Sequence, residues 1–153
     1  MDSILLYCDG ACRGNNQKDK SLRIGGYGII LIDQQRKKKK EIKYAVRSTT
    51  NNEMELTAVI KGLEELKKCC KVDIITDSKY VVRAINEKWL FGWKNKNWKK
   101  SDGKTVANKE LWQQLYELLQ KHDCKFIWVK GHNDNEWNER CDKLANIAMD
   151  ELK

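Results

Sequence analysis

Proline is absent from this chain of 153 residues, and long apolar runs are absent as well. Without proline, turns must be made by glycine and asparagine, which tolerate the backbone angles that tight turns require. No apolar stretch approaches the roughly 18 residues of a membrane-spanning helix. No charged segment leads into an apolar one at the N-terminus, so no export signal is expected. We therefore expect a cytoplasmic protein that does not enter a membrane.

The six cysteines do not follow the spacing of a zinc site or of a disulfide framework. Cys8 and Cys12 flank an Asp-Gly pair, Cys69 and Cys70 are adjacent, and no CxxC pair occurs. Structural zinc sites and small secreted scaffolds normally show such paired spacings. We expect reduced thiols in a cytosol-like compartment, most of them buried as small apolar side chains.

The charge of the chain is strongly unbalanced toward basic residues. Thirty lysines and arginines stand against 22 acids, which gives a net charge of +8. Such an excess favours a polyanionic partner, of which nucleic acid is the usual one. The length and the hydrophobic content of 41% are sufficient for one domain with a real core, and no repeat or linker divides residues 1–153.

Apolar periodicity predicts an α/β fold with the element order βββαβα(α)βα. Gly10 is predicted to end the first strand, Asn51 and Asn52 to cap the first helix, and His122 to act as a cation at a helix C-terminus. This order implies a five-stranded mixed sheet flanked by helices: an antiparallel meander followed by parallel strands with helical crossovers. The predicted strands are residues 3–9, 27–32, 41–46, 72–77 and 125–129. Four helices are predicted: the first covers about 51–68, the second is capped by Ser78 and contains 80–85, the third covers 108–121, and the fourth begins at about 137.

A run of basic residues, Arg36–Lys40, lies at the predicted end of the hairpin between the second and third strands. Lysines at such a position usually form a solvated edge that discourages aggregation. Direct contact with nucleic acid is the alternative, and the run alone does not decide between them.

Four acidic residues occur where carboxylates need an explanation. Two follow apolar strand-like runs and two lie on predicted helices: Asp9, Asp77, Glu55 and Asp142. Each has an ordinary explanation when taken alone, such as a turn, a helix dipole, a cap or a surface ion pair. Together they indicate a magnesium site, because Mg²⁺ prefers oxygen ligands and a two-ion nuclease needs several carboxylates around ions about 3.5–4 Å apart.

The sequence contexts of these acids resemble the type 1 ribonuclease H family over nearly the whole chain. They are residues 7–10 (Tyr-Cys-Asp-Gly), 51–56 (Asn-Asn-Glu-Met-Glu-Leu), 76–78 (Thr-Asp-Ser) and 138–145, supported by 25–28 (Gly-Gly-Tyr-Gly), 128–132 (Trp-Val-Lys-Gly-His) and the three tryptophans at 89, 93 and 98. The resemblance implies the ribonuclease H-like fold and hydrolysis of the RNA strand of RNA–DNA hybrids. It also implies Mg²⁺, with Mn²⁺ as an alternative, and two ions when substrate is bound.

By position, the resemblance assigns catalytic roles to five residues. The metal-binding carboxylates are Asp9, Glu55, Asp77 and Asp142. His132 lies in a polar loop, and the resemblance makes it a catalytic group that assists proton transfer or product departure. A solvent-exposed turn histidine is the alternative.

Residues 88–109 combine tryptophans with seven lysines and one acid, a net charge of +6. Basic residues among aromatics suit nucleic acid, although the tryptophans could instead pack among themselves. The segment resembles the family's basic protrusion, which holds the DNA strand. The implied substrate contacts are Lys94, Lys96, Lys99 and Lys100 on the protrusion, Tyr80, Trp89 and Ser101 in a DNA channel, Thr50 and Asn108 in a phosphate pocket, and Asn15, Asn51 and Asn52 in the minor groove.

The chain departs from the family pattern in a longer loop from Asn16 to Ile24 and in Ser48, where relatives often carry arginine. Another enzyme of similar fold, such as a junction resolvase or an integrase, would lack the protrusion and the Lys-Gly-His loop. A non-catalytic hybrid-binding module would tolerate loss of a carboxylate. We expect a monomeric endoribonuclease without an obligate protein partner, which leaves 5′-phosphate and 3′-hydroxyl ends.

Overall fold

The computed structural model describes residues 1–14, 18–130 and 135–152. It confirms the predicted class, a five-stranded mixed sheet flanked by helices, with one additional short helix in the protrusion. The strands are β1 Asp2–Arg13, β2 Ile24–Asp33, β3 Lys38–Arg47, β4 Cys70–Thr76 and β5 Asp123–Trp128. The helices are α1 Asn51–Glu64, α2 Lys79–Asn86, α3 Trp89–Asn95, α4 Lys109–Lys121 and α5 Glu136–Glu151, with a 3-10 turn at Lys20–Leu22.

The strand order in the sheet is β3-β2-β1-β4-β5. The β1–β2 and β2–β3 pairs are antiparallel, and the β1–β4 and β4–β5 pairs are parallel. One face of the sheet packs against α1, α2 and α4 in the larger core, which includes Leu6, Ile74 and Leu56. The other face packs against α5 through Tyr7, Ile30, Ile75, Cys141 and Leu144. The described residues contain no helix that is long and apolar enough to cross a membrane.

The prediction that Gly10 ends the first strand is wrong. β1 continues to Arg13 because β2 pairs with it as far as Arg13–Ile24, whereas the parallel pairing with β4 stops at Tyr7–Ile75. A Cβ atom at Gly10 would lie only 2.4 Å from the backbone of Met54 and Glu55. Gly10 therefore serves the close approach of α1 to β1 rather than a bend in the chain.

The first helix also differs from its prediction at both ends. Thr50 is the N-cap, and its hydroxyl accepts a hydrogen bond from the Glu53 amide at 3.1 Å, so Asn51 and Asn52 lie inside α1. Threonine and asparagine are both good caps, and the sequence alone did not rank them. The helix ends at Glu64 rather than near Lys68, and β4 begins at Cys70.

His122 does not act as a cation at the end of α4. Its side chain is only 4% exposed, and Nδ1 accepts a hydrogen bond from the Cys70 amide at 3.1 Å. Burial lowers the pKa of the imidazole, and the neighbouring Lys121 lowers it further. A ring nitrogen that accepts a hydrogen bond carries no proton, so His122 is a neutral part of the core.

All six cysteines are free thiols, as predicted. Only Cys8, Cys70 and Cys141 are buried, however, while Cys69 is exposed and the other two are half-buried. The expectation that most of them are core residues therefore holds for half of the set.

The basic run belongs partly to β3 and not only to the hairpin turn. Arg36 forms ion pairs with Asp2 and Asp33, and Lys40 pairs with Glu65 at 2.6 Å. The Lys39 ammonium lies over the ring of Trp137, 5.0 Å from its centroid. These intramolecular contacts favour the interpretation of the run as a solvated strand edge.

Candidate active site

The parallel pairing of β1 and β4 places two of the predicted carboxylates at the same edge of the sheet. Asp77 directly follows the last residue of β4, and Asp9 lies on β1 two positions beyond the end of the β1–β4 pairing. Side chains that follow neighbouring parallel strands meet in the crevice at their carboxyl ends. Asp9 and Asp77 are therefore brought together by the sheet itself.

Two glycines bring the helical carboxylates to this edge. α1 lies directly on Gly10, which places Glu55 next to the residue that follows Asp9. A Cβ atom at Gly28 would lie 2.2 Å from the carbonyl oxygen of Cys141, so α5 lies equally close to β2. Because Gly28 is the partner of Asp9 in the β1–β2 pair, this contact places Asp142 beside Asp9.

The carboxylates interact strongly with one another. Burial raises the pKa of the Asp9 carboxyl group, and the Asp77 and Asp142 carboxylates raise it further by charge repulsion and by hydrogen bonding to its protonated form. Like charges at short range disfavour simultaneous ionisation. The ionised site is therefore unfavourable unless a cation offsets its charge.

Glu55 is held by two side chains. The Ser78 hydroxyl donates to its Oε2 atom, and the Asn51 amide donates to Oε1 at 2.8 Å. Burial raises the pKa of Glu55, these two hydrogen bonds lower it, and the Asp77 charge raises it. Ser78 is also the N-cap of α2, so one hydroxyl links the start of that helix to the carboxylate.

The donor chemistry fits a hard divalent cation. Asp9, Glu55, Asp77 and Asp142 offer only carboxylate oxygens, which Mg²⁺ and Mn²⁺ accept. Across the described ranges, no three or more His, Cys, Asp or Glu side chains already stand in a metal-holding arrangement. The structure thus shows converging, mutually repelling carboxylates rather than a closed metal cage.

The protrusion carries a groove of about 410 Å³ on its surface. It brings together Trp89, Ser101 and three of the four predicted lysines; its lining consists of Lys88, Trp89, Gly92, Trp93, Lys96, Lys99, Lys100 and Ser101. Lys94 does not line it, since its ammonium lies over the ring of Tyr116, 5.1 Å from the centroid.

The three tryptophans of the protrusion differ in burial, and the packing interpretation holds for two of them. Trp93 packs edge-to-face against Trp112 at 5.5 Å, and Trp98 is only 8% exposed, so these two rings build the protrusion. Trp89 is 40% exposed, with the Arg83 guanidinium over its ring. Of these three tryptophans, Trp89 is therefore the most exposed to a ligand.

Tyr80 and Asn108 lie together but outside the groove of the protrusion. The Tyr80 hydroxyl accepts hydrogen bonds from the Asn108 amide at 3.2 Å and from the Trp112 indole at 3.1 Å. Asn108 also lines a second pocket, of about 390 Å³, beside the start of α1. That pocket contains two glutamates, Glu53 and Glu110, so an anion entering it would meet negative as well as positive charge.

The predicted substrate contacts at the start of α1 have structural roles or are exposed. Thr50 caps α1 through its hydroxyl, Asn51 holds Glu55, and Asn52 is exposed in the first turn of α1. Asn15 and His132 lie outside the described residues.

Three residues support this site in roles that the sequence analysis did not predict. Gly28 admits α5, and Ser78 holds Glu55. Asn138 is buried and donates hydrogen bonds to the carbonyl oxygens of Cys8 in β1 and Ile75 in β4. The sequence offers two signals for Asn138: it is the first residue of the 138–145 motif, and it lies one helical turn before Asp142 on the same helix face.

Comparison with known proteins gives one consistent family. A sequence model of the RNase H family matches residues 1–150. A ribonuclease H of Clostridium botulinum strain Hall is 56% identical over 152 residues, which is 99% of both chains. One from Hydrogenovibrio crunogenus is 49% identical over 152 residues, also 99% of both chains.

Solved structures agree with the fold. LC9-RNase H1, described as a type 1 RNase H with the type 2 active-site motif, gives a TM-score of 0.86 at 25% identity, covering 100% of this chain and 74% of that one. LC11-RNase H1 in complex with an RNA/DNA hybrid gives a TM-score of 0.70 at 24% identity, covering 97% of each chain. The five-stranded sheet with its flanking helices is therefore the ribonuclease H-like fold.

Proposed function

This chain belongs to the ribonuclease H family, and we propose that it is an endoribonuclease that hydrolyses the RNA strand of RNA–DNA hybrids. The observation that carries the proposal is the convergence of Asp9, Asp77 and Asp142 at one sheet edge, with Glu55 fixed beside Asp77. Four half-buried carboxylates would repel a polyanionic substrate unless they held cations. Their retention therefore favours a metal-dependent nuclease over a module that only binds hybrids.

The four carboxylates would hold two Mg²⁺ or Mn²⁺ ions when substrate is bound. Such ions supply an activated water and neutralise the charge that develops on the leaving 3′-oxygen, which gives 5′-phosphate and 3′-hydroxyl ends. Ser78 and Asn51 orient Glu55 for this task. His132 is proposed to assist proton transfer or product departure.

Substrate binding is proposed to rest on backbone contacts along the protrusion. The lysines of the groove suit the phosphates of the DNA strand, and the open face of Trp89 suits a sugar or a base. Contacts of this kind carry little base specificity, and RNA is distinguished by its 2′-hydroxyl groups. We also propose that the protein works as a monomer in the cytoplasm.

One comparison tests the proposal. Hybrid, duplex RNA and duplex DNA of the same sequence are incubated with the protein in MgCl₂, in MnCl₂ and in excess chelator, and the products are mapped from an end label. We expect internal cleavage of the RNA in the hybrid alone, only with a divalent ion, and with 5′-phosphate ends. Binding of the hybrid without cleavage in either metal would identify a binding module instead. Comparable cleavage of duplex DNA would indicate a different nuclease of the same fold.

A further inference from the structure

The side chain of Asn138 joins the two strands that carry Asp9 and Asp77. It is 7% exposed, and its Nδ2 atom donates to the carbonyl oxygens of Cys8 at 3.3 Å and of Ile75 at 3.4 Å. Carbonyl oxygens only accept hydrogen bonds, so the atom between them must be the amide nitrogen and not the amide oxygen. Both amide protons are therefore used.

The contact lies at the point where β1 and β4 separate. Their parallel pairing ends at Tyr7–Ile75, and the chain continues from there to Asp9 on one strand and to Asp77 on the other. Asn138 thus bridges the strands one residue before Asp9 and two residues before Asp77. No main-chain pairing between β1 and β4 holds their spacing beyond this point.

Asn138 lies on the same helix as the third carboxylate. It precedes Asp142 by four residues in α5, so both side chains lie on one face. The start of this helix is held by Asn135, whose Oδ1 accepts hydrogen bonds from the Trp137 and Asn138 amides at 3.0 Å and 3.3 Å. One amide group consequently connects the three elements that carry Asp9, Asp77 and Asp142.

Stability alone gives a poor account of this side chain. Among the described residues, the Asn138 Oδ1 atom is one of two buried side-chain polar atoms without a hydrogen-bond partner. A buried acceptor that stays unpaired costs free energy, and native proteins contain few of them. The amide at position 138 is explained if the bridge that it makes between β1 and β4 is needed to position the carboxylates.

We propose that Asn138 is a positioning residue that sets the spacing of Asp9, Asp77 and Asp142 and thereby the affinity of the site for divalent cations. The inference rests on the proposed function, because it treats these carboxylates as metal ligands. Hydrogen-bonding partners of metal ligands typically change metal affinity or activity by about 10–100-fold when they are removed. Asn138 acts one step further back, on the strands and the helix that carry the ligands.

The test compares Asn138→Ala and Asn138→Gln with wild type and with a matched control, Asn86→Ala. Asn86 on α2 donates to the carbonyl oxygen of Phe126 on β5 at 3.4 Å, so it makes the same kind of helix-to-strand contact on a helix without a predicted metal ligand. Binding of MgCl₂ to the hybrid-free protein is followed by amide chemical shifts of Asp9 and Asp77. The MgCl₂ concentration for half-maximal hybrid cleavage, kcat and the urea unfolding midpoint are measured in parallel.

We expect Asn138→Ala to raise both MgCl₂ midpoints by about 10-fold, the lower end of that range, because Asn138 does not contact the ligands directly. Hybrid affinity in chelator should stay unchanged. Asn138→Gln keeps the amide but displaces it by one methylene, so its midpoints should rise less. Asn86→Ala should lower stability while keeping the wild-type midpoints. If Asn138→Ala does not fold, Asn138→Gln decides: a raised midpoint supports the inference and a wild-type midpoint overturns it.

The outcomes also separate this inference from the proposed function. Wild-type protein that fails to cleave hybrids in MgCl₂ or MnCl₂ contradicts the proposed function. Wild-type cleavage combined with wild-type MgCl₂ midpoints in Asn138→Ala contradicts only the role of Asn138, which would then be structural.

Discussion

Asp9 and Gly28 face each other across the β1–β2 pair, and the missing side chain of Gly28 leaves the space that the Cys141 carbonyl of α5 occupies. The carboxylate and the glycine therefore form one arrangement, because the helix that packs on Gly28 is the helix that carries Asp142. Gly10 has the corresponding role for α1 and Glu55. The candidate active site depends on two close helix-to-sheet contacts as much as on its acids.

Gly28→Ala should disrupt the contact between α5 and β2. A Cβ atom there would lie 2.2 Å from a backbone oxygen, which cannot rotate away as a side chain could. Overpacking of this kind costs about 1–3 kcal/mol or more, and we expect cleavage to fall as Asp142 moves. Urea unfolding and single-turnover cleavage measure the two effects. Gly92→Ala is the control, since nothing lies within 4 Å of its Cβ position in α3, and its stability should stay equal or rise slightly.

Asp77→Asn should preserve the fold and remove catalysis. The substitution is nearly isosteric but takes away one negative charge of the proposed metal site, so cleavage should fall by orders of magnitude while hybrid affinity persists. Rates in MgCl₂ and affinities in chelator are compared with those of the control variant Asp123→Asn. Asp123 is an exposed acid at the start of β5, at the end of the parallel strands opposite to Asp77. Robust metal-dependent cleavage by folded Asp77→Asn would show that Asp77 is not a required ligand.

Replacing Lys96, Lys99 and Lys100 by alanine should weaken hybrid binding and flatten its salt dependence. The slope of log K against log salt is negative, and each lost phosphate contact reduces its magnitude by roughly 0.7–0.9. Cleavage at saturating hybrid should persist, because the groove is separate from the carboxylates. Lys94→Ala is made separately, and its slope should change less because Lys94 lies over Tyr116. An unchanged slope in the triple variant would mean that these lysines only solvate the surface.

His132→Ala should slow turnover while leaving hybrid affinity and stability close to wild type. General acid–base assistance contributes about 10²–10⁴-fold, and a residue that assists a metal-dependent reaction is expected near the lower end. Steady-state rates are measured on both sides of neutral pH. Wild-type rates across that range would leave His132 as a turn residue without a catalytic role.

The free energy of unfolding should fall as the pH is lowered through the titration of His122. Its folded pKa is below the ordinary value of about 6.5, so the unfolded chain binds the proton more readily. The stability that neutral His122 contributes is fully present above about pH 6.5 and is lost as the pH falls through the lower pKa of the folded state. Urea unfolding between pH 8 and pH 5 measures it. His122→Asn keeps an acceptor for the Cys70 amide but does not titrate, so its curve should be flatter; equal curves would contradict the assignment.

The sequence by itself determined the fold class, the order of the elements and the identity of the candidate carboxylates. Hydrophobic periodicity is a local property, so Leu56, Val59 and Leu63 predict the buried face of α1, and all three are buried. The acids could be selected because each lies in a motif of adjacent residues. The excess of lysines in residues 88–109 likewise needs no structure to be recognised.

Only the tertiary structure decided how these parts meet. Gly10 and Gly28 look like turn or strand residues until α1 and α5 are placed on them. The neutral state of His122 depends on Cys70, and the fixed orientation of Glu55 depends on Ser78, both distant along the chain. The bridge that Asn138 makes between β1 and β4 is equally long-range. Local sequence patterns do not predict such long-range pairings, because the geometry of each pairing arises only when the sheet and its helices pack together.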